Sequence, residues 1–256
     1  MQSRLAAAAL ALSSFLICMG GSSLAVAAEI KLYSTVAFHS VLDELAPQFE
    51  RSTANKLTIT YGLAAQLAQR ITSGEAADVA ILTRAGIDAL VKGGKIMQKS
   101  DASLASASMA LAAKTGAPKP DVSTPEAFRR TLLAAKSIAT GNPASGGASS
   151  VYFSKLLEQM GIFEQVKGKL KIASEGKLSA DLVAAGDAEI GAMQTSELSP
   201  GTELVGVFPG ELNNVTVFAV GLITNASDAN AADTLIKFLE SREAGAIYKA
   251  KGLYPN

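Results

Sequence analysis

Residues 29–83 read EIKLYSTVAFHSVLDELAPQFERSTANKLTITYGLAAQLAQRITSGEAADVAILT, and the periodicity of this stretch decides the fold. Ile30 to Tyr33 is a short strand, and after Ser34-Thr35 the apolar residues Val41, Leu42, Leu45 and Phe49 recur at helical spacing. Lys56 to Tyr61 alternates as a second strand, Gly62 turns the chain, and Leu63, Leu67 and Ile71 mark a second amphipathic helix. Ala77 to Leu82 is a third strand of the continuous type buried on both faces, and a helix from Ile87 to Val91 ends at Gly93-Gly94. Strands that alternate with helices imply parallel pairing through right-handed crossovers. The fold class is therefore α/β with an open sheet, and ligands of such sheets bind at the carboxyl ends of the strands.

The same scheme continues downstream. Ser123-Thr124-Pro125-Glu126 has the cap residue and first-turn proline of a helix start, with the helix running through Ala127 to Ala135. A strand at Ser137 to Thr140 leads through the decapeptide Gly141 to Ser150 into a helix that reaches Gln159. Ser179 to Ala185 is helical, Glu189 to Met193 is a strand, Val215 to Ile223 is a β-branched strand, and Ala229 to Lys249 reads as one helix. Periodicity leaves open whether the two α/β halves are consecutive domains or lobes joined by strands that cross between them.

Composition narrows the function. The 256 residues carry 23 basic and 23 acidic side chains, so the electrostatic footprint of a nucleic-acid binder is missing. One Cys and one His exclude an intrachain disulfide and any zinc site built on paired imidazoles or clustered thiols, and no metal or cofactor is called for. Residues 1–28 have Arg4 as their single charge, an apolar run from Leu5 to Met19 and small residues up to Ala28. This is the layout of a secretory signal peptide, with cleavage near Ala27 or Ala28 and export to the periplasm. The apolar run, about 15 residues, is short of the roughly 20 that span a bilayer. Ile17 before Cys18 argues against a lipoprotein anchor. Loss of Arg4 leaves 22 basic residues, so the processed chain is slightly acidic and would hold an anion by local groups rather than by global charge.

Candidate site residues sit in the loops that follow strands. The Gly141 to Ser150 segment, with Ser145, Gly146, Gly147 and Ser149, places small residues and free N–H groups at a helix start, which suits an anion. It is neither a Walker loop nor a dinucleotide fingerprint, and an ordinary capped turn is the competing explanation. Ser34, Thr35 and the Gly62 to Gln66 loop, with Ala64 and Ala65, lie at the same sheet edge, and Gln194 ends a strand of the second half. Arg84, just past Thr83, is a cation whose planar fork could clamp a carboxylate, or a surface ion-pair partner. His39, one turn into the first helix, could titrate near neutral pH and act as a base, or be a plain surface histidine. No nucleophile elbow, HExxH or paired-cysteine motif is present.

Taken in order, these segments resemble the periplasmic molybdate-binding proteins of ABC transporters. The similarity rests on Leu32 to Phe49, on Leu67-Ala68-Gln69-Arg70-Ile71 with Gly74 and Ala77-Asp78-Val79-Ala80-Ile81, on Gly141-Asn142-Pro143 before a helix, and on Tyr248-Lys249-Ala250-Lys251-Gly252-Leu253. It implies a type 2 periplasmic-binding-protein fold with two lobes, each a mixed sheet flanked by helices, joined by a hinge. Lobe I would hold residues 29–108 and 211–256, and lobe II residues 109–210. The family's oxyanion serines fall at Ala37 and at Ala64 or Ala65 here, and its second-lobe tyrosine at Gln194. Each lost donor should cost a buried oxyanion about 1–3 kcal/mol. The resemblance therefore implies a small organic anion such as a di- or tricarboxylate in place of molybdate or tungstate, a monomeric receptor, and an ABC permease as partner. The chain is also similar to the aconitate isomerases. That likeness implies an allylic proton transfer between trans- and cis-aconitate, with His39 as base and Arg84 and the Gly146-Gly147 backbone as carboxylate clamps.

Overall fold

The computed structural model describes residues 27–174 and 178–256, so most of the expected signal peptide lies outside the described residues. Strand β1 (Glu29–Thr35) pairs in parallel with β2 (Lys56–Gly62), from Glu29 opposite Lys56 to Thr35 opposite Gly62, and with β3 (Val79–Thr83) through Leu32 opposite Val79. Helices α1 (His39–Thr53), α2 (Ala64–Thr72) and α3 (Arg84–Lys92) follow these strands in turn. All three crossovers deliver the carboxyl ends of the strands to one edge. The first helix begins later than its pattern suggests, because Val36–Phe38 forms a 3-10 turn that seats Phe38 in the core before α1 starts. Phe38 meets Phe218 and Tyr248 edge-on, each at 5.5 Å between centroids, an arrangement that aromatic quadrupoles favour.

The longest strand, β4 (Ala102–Lys114), belongs to both halves of the molecule. Its first part, Ala102 to Ser108, pairs antiparallel with β9 (Val215–Leu222), and β9 in turn lies antiparallel to β3. From Met109 onward β4 pairs with β7 (Ile190–Gln194) on one side and β8 (Thr202–Val207) on the other. The second sheet is completed by β5 (Ile138–Thr140) and β6 (Leu170–Ile172), parallel to each other, with β5 parallel to β7. Around it pack α4 (Pro125–Ala134), α5 (Ala148–Gln159), α6 (Phe163–Val166) and α7 (Ser179–Ala185). Two lobes with separate apolar cores are thus strung on one strand, and the pairing changes partners between Ser108 and Met109.

The C-terminal segment that reads as one helix is two. Helix α8 (Ala229–Leu239) is capped by Asp228, whose carboxylate accepts the Ala231 N–H at 2.9 Å, and α9 (Arg242–Ala250) by Ser241, which accepts the Ala244 N–H at 3.1 Å. The break folds α9 back so that the Tyr248 hydroxyl donates to the Leu239 carbonyl at 2.6 Å. A last short strand, β10 (Tyr254–Pro255), closes on β4.

Between α9 and β10 the chain touches the other lobe. Gly252 has φ +80°, and its carbonyl accepts the Thr195 hydroxyl at 2.6 Å. A Cβ built there would lie 2.3 Å from the Thr195 carbonyl oxygen, which is backbone and cannot swing away. Gly252→Ala combines a left-handed conformation with this clash, and a loss of about 2–4 kcal/mol is expected. Urea unfolding should show a lower midpoint with an unchanged slope.

Candidate functional site

The carboxyl ends of the lobe I strands face the N-terminus of α5 across a largely enclosed cavity of about 30 Å³. From lobe I it is lined by Thr35 and Val36 after β1, Leu63 and Ala64 at the start of α2, Thr83 after β3, and Phe218 on β9. Gly147, Ala148 and Ser149 at the start of α5, with Gln194 and Glu197 after β7, line it from lobe II. The space would hold about two water molecules. Anything larger has to enter with the lobes apart.

What converges here is a set of helix starts without side-chain caps. Thr35 before the 3-10 turn, Leu63 before α2 and Gly147 before α5 make no capping hydrogen bond through their side chains. First-turn N–H groups with no intrahelical partner carry the positive end of the helix dipole, so an oxyanion between them finds donors from both lobes. By contrast α3, whose Thr83 hydroxyl accepts the Gly86 N–H at 3.2 Å, has its cap filled.

Lobe contact at this edge depends on small residues. A Cβ on Gly146, which has φ +79°, would come within 3.3 Å of the Ala65 Cβ, and one on Gly147 within 3.4 Å of a Leu63 methyl. The side chains of Leu63 and Ala65 at the start of α2 therefore meet bare glycine backbone just before α5.

Glu197 is the one ionisable side chain among the described residues that line the cavity. It closes the turn after β7 by accepting the Gln194 N–H at 2.9 Å, and its carboxyl is also within hydrogen-bond reach of Ser149. Burial raises its pKa above the ordinary carboxylate value, against the smaller opposing pull of the Gln194 N–H and Ser149. Gln194 is fixed in turn, its side-chain amide donating to the Thr216 hydroxyl at 2.8 Å.

Of the residues singled out from sequence, Thr35, Ala64, Gly147, Ser149 and Gln194 line the cavity. Gly146 and Ala65 meet at its mouth, and Ser145 precedes them in a 3-10 turn. Ser34 is fully buried beneath, its hydroxyl donating to the Thr35 carbonyl at 3.2 Å. Ala37 packs in the lobe I core, and Val36 takes the lining position. Arg84 is turned away from the cavity: its guanidinium is 2.8 Å from Asp88 and 2.7 Å from Asp101. His39 stands exposed outside the cavity, 3.5 Å from Asp43, with its ring tilted 57° against that of Tyr61 at 4.4 Å between centroids. Burial and the charge of Asp43 push Tyr61 up to about 12, so it remains neutral at physiological pH. Leu63 and Ala148 also line the cavity and fall within the two loops marked in the sequence, whereas Val36, Thr83, Phe218 and Glu197 are lining residues that the sequence did not mark. A larger surface groove of about 240 Å³, lined by Asp121, Arg130 and Glu189, sits by the amino end of β7, opposite the strand end that carries Gln194.

Residues 30–254 match the sequence profile of the bacterial extracellular solute-binding proteins. The chain belongs to this family. An aconitate isomerase from a Pseudomonas species is 31% identical to the chain over 234 residues, covering 88% of this chain and 87% of the relative. The molybdate-binding protein ModA of Azotobacter vinelandii is 26% identical over 250 residues, covering 94% and 97% of the two chains. Among solved structures, the periplasmic molybdate-binding protein of Azotobacter vinelandii superposes with a TM-score of 0.74 at 18% identity, over 88% of this chain and 98% of that one. That superposition carries the fold: a two-lobed solute-binding protein, with the cavity described above in the cleft between the lobes.

Proposed function

We propose that this protein captures a small organic anion bearing two or three carboxylates by closing its lobes over it. In this proposal residues 29–108 and 211–256 move against 109–210 about the Ser108–Met109 junction. The observation that carries it is the convergence of uncapped helix starts from both lobes on a cavity whose lining, among the described residues, offers N–H groups, Thr35 and Ser149 but no cation. Val36 and Ala64 line the cavity with apolar groups where a tetrahedral oxyanion would need hydroxyls. Carboxylates spread over a carbon skeleton can instead each reach a separate helix start. Residues 1–28 would direct the chain to the periplasm, where a monomeric receptor hands its ligand to an ABC-type permease.

A second reading, aconitate isomerisation, is favoured by the Pseudomonas relative and by the carboxyl group of Glu197 inside the cleft. A thermal-shift series with trans-aconitate, cis-aconitate, citrate, malate, molybdate, tungstate and sulfate tests the binding. A ligand present at a hundred times its dissociation constant adds about 2.7 kcal/mol to stability. The organic acids are expected to raise the midpoint; a rise with the inorganic oxyanions alone would overturn the proposal.

A further inference from the structure

A carboxyl group is out of place in a pure anion receptor. Ionised, it repels the ligand, and among the described residues the lining contains no cation to offset it. Yet Glu197 is held with care: the turn at Thr195–Glu197 fixes its backbone, the Gln194 N–H holds Oε2 at 2.9 Å, and Gln194 is itself anchored to Thr216. The side chain faces the same cavity as the α2 and α5 starts, within reach of Ser149.

We infer that Glu197 is the catalytic residue of this cleft, a proton carrier that takes a proton from a carbon next to a ligand carboxylate and returns it two carbons along. The inference rests on the carboxylate reading given above and deepens it, since it names the substrate class: an unsaturated acid with an acidic C–H allylic to its double bond. The Glu197 carboxylate forms an O–H bond as the methylene C–H bond breaks. The electron pair left on carbon spreads through the allylic system into the flanking carboxylates. The former vinylic carbon then takes the proton from Glu197, the double bond lies one position over, and the carboxylate is restored. No oxidant, reductant or co-reactant enters. The charge that develops lies on carboxylate oxygens, where the uncapped N–H groups of α2 and α5 are already placed to receive it. Burial, by raising the carboxyl toward working pH, makes it a stronger base than an exposed glutamate.

The experiment follows trans-aconitate by proton NMR in D2O with the full-length processed protein, alongside its effect on the thermal midpoint. Wild type is expected to bind it, exchange its methylene protons for deuterium and produce cis-aconitate. Glu197→Gln keeps an oxygen to accept the Gln194 N–H, so it should fold and bind within about tenfold of wild type while exchange and conversion fall at least a hundredfold. Conversion retained in Glu197→Gln overturns the assignment. Wild-type binding without conversion overturns it too, and leaves the receptor proposal standing. Wild type that neither binds nor converts trans-aconitate, while other carboxylates also fail to raise the midpoint, overturns the receptor proposal and this inference together.

Discussion

Asp78→Ala is expected to lower folding stability by about 3–5 kcal/mol, although the residue touches no part of the cleft. Asp78 is buried, with 3% of its surface exposed, and its carboxylate accepts three hydrogen bonds. These come from the Lys31 N–H at 2.7 Å, the Ser227 N–H at 2.6 Å and the Ser227 hydroxyl at 2.8 Å. Its own backbone continues the tie, with the N–H donating to the Lys31 carbonyl and the carbonyl accepting from Ile223, both at 2.9 Å. One side chain thus joins β1, the entry to β3 and the turn after β9. Alanine strands two backbone N–H groups near the protein interior, and each such loss costs on the order of 1–3 kcal/mol. Asn at this position keeps one acceptor oxygen and should cost about half as much. Urea denaturation of both variants checks the order; equal stability of Asp78→Ala and wild type would mean that the loop after β9 finds other partners.

The same residue shows how sequence and structure part company. Ala77-Asp78-Val79 is among the segments that carry the family likeness, and an acidic residue at a strand start invites a functional role. Its partners lie 47 and 149 positions away, so its work as a staple is invisible to local pattern. Local alternation did reveal β1, β2, β3 and their helices, because each buries apolar residues at a regular period. Strand β4 escaped for the opposite reason. Its sequence ASLASASMALAAK is made of small residues with little β preference, and it is a strand because it is paired along both edges by β9, β10, β7 and β8. The cleft residues divide along the same line. Helix starts rich in Gly, Ala and Ser can be seen in sequence, and Thr35, Ala64, Gly147 and Ser149 were found that way. Arg84 was chosen on chemistry, since carboxylates pair with arginine; Asp88, one helical turn on, was the available sign that the arginine has a partner. Glu197 gave no sign. A single acid after Gln194-Thr195-Ser196 reads as a solvated turn charge, and only the approach of the α5 start from elsewhere in lobe II, with lobe I closing over both, turns it into the one ionisable group among the described residues that faces the cavity.

Closure itself can be blocked without disturbing either lobe. Ala65 is exposed at the start of α2, and its methyl faces Gly146 so closely that a single added Cβ on the glycine would stand 3.3 Å away. Ala65→Trp places an indole where the two helix starts must meet. With the lobes apart that side chain extends into solvent, so the unliganded midpoint should stay within about a degree of wild type. With the lobes together it cannot be accommodated, because the facing surface is backbone at Gly146-Gly147 rather than a side chain able to move. Ligand that gains its donors from both α2 and α5 then keeps at most one set. Affinity for whichever carboxylate stabilises the wild type should fall at least a hundredfold, equivalent to about 2.7 kcal/mol. The chain contains no Trp, so the new indole is also its sole tryptophan fluorophore and reports directly on whether ligand still draws the lobes together. Calorimetry gives the affinity and small-angle scattering the shape: wild type should contract on binding and Ala65→Trp should not. Ala65→Ser, which adds one oxygen at the same place, should remain within about threefold of wild type. Unchanged affinity in Ala65→Trp would mean that the ligand is held by one lobe alone, and the α2 and α5 starts would then not act on it together.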